Sequence, residues 1–105
     1  MFVLVSDAGD GNGVRATITE PENLKQLHAE FRRVDDETAA RALRDTGIGV
    51  VDGDHAWLKT SALRAAGNGS AEWMAGFDAM LAYAASNGWA SADGSQVRAH
   101  IVRSS

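Results

Sequence analysis

The chain of 105 residues contains no cysteine, which excludes disulfides, thiolate zinc sites and cysteine nucleophiles. It also lacks a long apolar run. The opening MFVLV stretch is too short for a signal peptide and has no basic flank, and no later segment approaches the roughly 18 apolar residues that cross a bilayer. A soluble, cytoplasmic protein without membrane association is the expectation. Positive charge is scarce as well: 10 Lys and Arg against 14 Asp and Glu leave a net charge of −4, which argues against a general phosphate-binding surface. The few basic residues are nearly all arginine, and with abundant Ala, Gly and Asp this suggests a bacterial source of high GC content.

What is present suits one compact domain over residues 1–105, because 45% hydrophobic residues at this length are enough to build a single core. The longest periodic segment runs from Ser70 to Trp89. There Trp73, Met74, Phe77, Met80, Leu81 and Ala84 recur at the spacing of one broad helical face. Ser70 is placed to cap the first turn and Gly88 to close the last. The opposite face, Ala75, Ala79, Ala82 and Ser86, consists of small residues that a partner surface, or another helix of the same chain, could approach closely.

Before this helix, Met1–Ser6 and Val14–Thr19 read as two strands joined by a Gly-rich turn at Asp10-Gly11 and Asn12-Gly13. Thr19 and Glu22 fit a capping box, and Pro21 falls where a missing amide costs nothing. With Leu24, Leu27, Phe31 and Val34 as a stripe, they predict a helix over residues 19–33. A second helix begins at Asp35 or Asp36, stops at Gly47 and carries a Glu37–Arg41 pair. Ile48–Lys59 reads as a hairpin turning at Asp52-Gly53, with His55, Trp57 and Lys59 on one face and Ala56 and Leu58 on the other. A short helix from Thr60 follows, and Trp89–Val102 reads as a third hairpin turning at Asp93-Gly94, with Trp89 across from Arg98 for cation–π stacking.

The expected fold is therefore α+β: a mainly antiparallel sheet built from three Asp-Gly hairpins in the order ββααββααββ, with helices packed on it and a winged-helix-like C-terminal half. The turns at 10, 52 and 93 are almost evenly spaced. DGNGVRATI and DGSQVRAHI share six residues, which is consistent with either duplication or repeated use of one hairpin solution.

No motif amounts to a catalytic signature, so no catalytic residue, metal or cofactor is assigned. The three histidines lack metal-ligand spacing, and no GxSxG is present. Asp7, Asp10 and Asn12 in a Gly-rich loop invite a calcium reading, but the order of an EF-hand is missing. Three functional expectations remain. The leading one is a non-catalytic interaction or accessory domain that self-associates, or binds a protein partner, through Ala75, Ala79, Ala82 and Ser86. The second is a small-molecule binder or small enzyme with a pocket at His55, Trp57, Trp89, Arg98 and His100. It requires the second and third hairpins to lie side by side; otherwise these are turn, core and exposed strand residues. The third, a winged-helix DNA regulator, is disfavoured because residues 71–86 contain no basic side chain to meet phosphates.

Overall fold

The computed structural model describes residues 1–7 and 13–104, so the first turn and the calcium reading placed on it lie outside the described residues. Among the described residues the chain forms six strands and three helices. These are β1 (Phe2–Asp7), β2 (Val14–Thr19), β3 (His28–Arg32), α1 (Asp36–Asp45), β4 (Gly49–Asp52), β5 (His55–Lys59), α2 (Thr60–Ala65), α3 (Ala71–Ser86) and β6 (Gln96–Ser104). No helix among them is long and apolar enough to cross a membrane.

All six strands join one mixed sheet in the order β2-β1-β3-β6-β5-β4. The β1–β2, β4–β5 and β5–β6 pairs are antiparallel, whereas β3 runs parallel to both neighbours, β1 and β6. The sheet curls, so that α1 lies against β2 and β1 near one edge and against β4 at the other. Because side chains alternate along a strand, one face collects Val3, Val5, Ala29, Phe31, Ala56, Leu58, Val97, Ala99 and Ile101, all buried. Helix residues such as Leu43, Leu63 and Phe77 join these strand residues in one core.

The central helix forms as its periodicity predicts. The Ser70 hydroxyl accepts a hydrogen bond from the Trp73 amide at 3.0 Å, and Gly88 takes the left-handed conformation past the helix end. Trp73, Phe77 and Ala84 are its buried residues. The Trp73 ring stacks on Phe77 at 4.9 Å, and its indole N–H donates to the Pro21 carbonyl at 2.8 Å. Close packing explains Gly67, where a Cβ would come within 2.4 Å of the Trp73 ring. Helix α1 also starts and stops as expected: Asp35 accepts from the Thr38 amide at 2.7 Å, and Gly47 has φ +71°.

Three expectations need correction. The segment predicted as the first helix is a turn followed by a strand: Thr19 stays paired with Phe2, Glu20 takes a positive φ of 53°, and no capping box forms. His28–Arg32 enters the sheet between β1 and β6, which buries Ala29 and Phe31 completely and turns His28, Glu30 and Arg32 outward. The second hairpin forms, but its two-residue loop is Gly53-Asp54 rather than Asp52-Gly53, because Asp52 pairs with His55. The third hairpin keeps its expected register only as an isolated bridge, Ala90 with Val97, so β6 is shared by β5 and β3 instead of projecting as a wing. The element order is thus βββαββααβ rather than ββααββααββ.

A candidate ligand-binding cleft beside β6

The cleft arises where one partner of β6 gives way to another. Along one edge of β6, residues 89–91 supply the pairing near the start, with the Arg98 amide donating to the Trp89 carbonyl and the Ser91 amide to the Gln96 carbonyl. β3 takes over only at His28, opposite His100. Only Ala99 lies between the two pairings, and at this change of partner a buried-face residue, Val97, and an outward one, Arg98, line the same opening. The space is a cavity of about 500 Å³. Its apolar wall comes from Leu27, Met80, Ala84 and Val97, and its rim from Lys25, His28, Tyr83, Trp89 and Arg98. A smaller hollow of about 190 Å³ adjoins it, lined by Leu27, His55, Trp89, Arg98 and His100.

Four of the five residues expected to line a pocket, His55, Trp89, Arg98 and His100, therefore border one hollow. The fifth does not. Trp57 lies across from Arg98 on the neighbouring strand, but its indole N–H is directed to the Asp52 carboxylate at 3.4 Å, towards β4. The expected stacking of Arg98 on Trp89 is also replaced. Tyr83 meets the Trp89 ring edge-on at 5.9 Å, while the cation–π contact found among the described residues is Arg64 over Phe77 at 5.0 Å.

Arg98 is half-buried and makes no side-chain hydrogen bond or ion pair among the described residues. Other arginines of the chain are engaged. Arg103 holds Asp36 with two 2.9 Å hydrogen bonds and Asp54 with one of 3.1 Å, so the Asp36 carboxyl lies below its ordinary range and the guanidinium above its own. Arg64 pairs with Asp78, and Arg32 with Glu30.

The sheet register places the three histidines in one row on the outward face. Phe2 pairs with His28, His28 with His100, and His100 with His55. His28 stacks on Phe2 at 4.8 Å and lies 4.0 Å from Glu30, and His55 and His100 meet edge-to-face at 5.8 Å. Among the described residues no group of three or more His, Asp or Glu side chains converges as a metal site.

Lys25, Leu27, His28, Met80 and Tyr83 were not among the residues expected at a pocket. The first three sit in the segment read as helical, where alternation of His28, Glu30 and Arg32 with Ala29 and Phe31 was the available signal of a strand. The expected partner face lies apart from the cleft: Ala75, Ala79, Ala82 and Ser86 are all exposed, and none of them lines the cavity. No protein-family model, curated protein or solved structure matches the chain.

Proposed function

We propose that the protein binds a small amphipathic organic anion in the cleft beside β6. The observation that carries this reading is Arg98, a half-buried guanidinium that lines an apolar cavity and has no side-chain partner among the described residues. A volume of about 500 Å³ falls in the range of small-molecule sites, which combine apolar walls with a few polar groups that fix orientation. A carboxylate or sulfonate would meet Arg98 and Lys25 by charge-assisted hydrogen bonds, while its apolar part lies against Leu27, Met80 and Val97 beside the Tyr83–Trp89 pair.

Titration with anilinonaphthalene sulfonate, a fluorescent aromatic sulfonate, tests the reading. Saturable binding of one molecule per chain is expected, with displacement by medium-chain fatty acids. Loss of one charged hydrogen bond in Arg98→Ala should weaken affinity by about 10- to 100-fold. The exposed Arg15→Ala on β2, away from the cleft, should leave it unchanged. Equal binding by wild type and Arg98→Ala would remove the proposal.

Self-association through α3 is a second reading, favoured by the exposure of all four small residues of the stripe. Light scattering decides it: a dimer that Ala79→Trp converts to monomer supports it, and a monomer in both proteins ends it. The DNA-binding reading has less support, since the acidic residues of α3, Glu72 and Asp78, are exposed and no basic side chain accompanies them on the helix.

A further inference from the structure

We propose that His55 and His100 form a two-imidazole chelate for a divalent transition metal ion of the zinc and nickel class, a site that goes beyond the organic-anion reading and does not depend on it. The two residues are direct cross-strand partners on the outward face of β5 and β6. Their rings lie 5.8 Å apart at an interplanar angle of 73°. Two imidazoles bound to one ion at metal–nitrogen distances of about 2.0–2.1 Å have ring centres roughly 4.5–5.5 Å apart, so the pair stands within about 1 Å of the separation that chelation requires. Neither ring makes a hydrogen bond or ion pair among the described residues, which leaves their nitrogens available.

The backbone holds this separation in place. Ala56 and Ala99, the next pair along the ladder, are buried on the opposite face, and the Ile101 amide donates to the Asp54 carbonyl at 2.9 Å just beyond the histidines. The remaining adjustment is rotation of each ring about χ2, a broad and inexpensive torsion for histidine, with a small change in χ1 that draws the ring centres together. His100 is exposed and His55 half-buried, so the ion can enter from solvent and keep water in its other coordination positions. His28 is the third member of the row, but it stacks on Phe2 and neighbours Glu30, so it is left out of the chelate. Arg98 borders the same hollow and opposes a bare cation. The two nitrogen ligands select against Mg²⁺ and Ca²⁺, whose preferred ligands are oxygens, and only ions that gain strongly from imidazole coordination offset that repulsion.

Calorimetric titration of the untagged protein with Ni²⁺ and Zn²⁺, without any organic ligand, tests the site. One ion per chain is expected, with no binding of Mg²⁺. Outer-shell partners of metal sites alone carry about 10- to 100-fold in affinity, so loss of a ligand in His55→Gln or His100→Gln should weaken binding at least as much. His28→Gln should retain it. In wild type, Ni²⁺ should broaden the ring resonances of His55 and His100 first, a measurement that does not rely on any variant folding. Affinity unchanged in either His55→Gln or His100→Gln, binding abolished in His28→Gln, or broadening centred elsewhere would each overturn the proposal. Repeating the sulfonate titration in a chelator separates the two sites: anion binding that persists without metal leaves the cleft reading intact whatever the metal result.

Discussion

The two faces of the sheet are made by the same strands and have opposite chemistry. The covered face carries Val, Leu, Ile, Ala and Phe side chains, nearly all inaccessible to solvent, whereas the outward face presents His28, Glu30, Arg32, His55, Trp57, Arg98 and His100. Neighbouring residues thus serve different ends. On β6, Val97, Ala99 and Ile101 contribute to burial, and Arg98 and His100 between them border the hollow. The period of two lets the same strands carry a buried apolar surface and an outward polar one without assigning them to different elements. The separation is incomplete at the cleft, which both Val97 and Arg98 line.

Substitutions on the two faces should therefore read out differently. Phe31 is fully buried on the central strand β3, and its truncation leaves a cavity in the middle of the sheet. Phe31→Ala should lower unfolding free energy by about 3–5 kcal/mol in denaturant titrations, whereas the exposed His100→Gln should stay within about 0.5 kcal/mol of wild type. Similar losses from both would show that the outward face is a structural surface after all.

A smaller effect tests how tightly the covered face is closed at its β4 edge. A Cβ on Gly49 would sit 2.4 Å from the Trp57 backbone carbonyl, which cannot rotate aside as a side chain would. Gly49→Ala should cost about 1–3 kcal/mol through displacement of β4 from β5, measured by the shift in denaturation midpoint. An unchanged midpoint would mean that this edge is loose enough to absorb a methyl group.

The same contrast governs what could be read from the chain beforehand. The α3 helix was legible because Trp73 to Ala84 follow one period and both ends are marked by local chemistry, Ser70 and Gly88. β5 was legible because His55–Lys59 alternates strictly. Residues 19–33 satisfied two periods at once: Leu24, Leu27, Phe31 and Val34 fit a helix, while His28 to Arg32 also alternates. Tertiary pairing decided between them, since only a strand there joins β1 to β6 and buries both Ala29 and Phe31. That choice also hid half of the cleft. His55, Trp89, Arg98 and His100 could be grouped from the cross-strand register of neighbouring hairpins, but Lys25, Leu27 and His28 reach them through a parallel pairing that no local signal specifies.

The smallest effect concerns the turn that sets which face each residue of β6 reaches. The Asp93 carboxylate accepts hydrogen bonds from the Ser95 amide at 3.0 Å, the Ser95 hydroxyl at 2.7 Å and the Ser91 hydroxyl at 2.8 Å. These bonds, led by the Ser95 amide, lower its pKa from 3.8 to about 2. The turn is anchored in addition by Thr60, whose hydroxyl donates to the Gly94 carbonyl at 2.8 Å. Because the native carboxyl binds its proton less readily than the unfolded one, its contribution to stability is fully present above about pH 4 and is lost as pH falls through about 2. Asp93→Asn should therefore be slightly less stable than wild type at neutral pH, with the two unfolding curves converging as the pH approaches 2. A one-residue slip of β6 would send Arg98 and His100 inward and Val97 and Ala99 outward, so the native register has strong support from burial as well as from the turn. Asp93→Asn should consequently leave anion and metal binding intact while its acid profile changes. If binding is lost together with the acid response, the turn rather than the buried face holds β6 in register, and the two faces are less independent than their alternation implies.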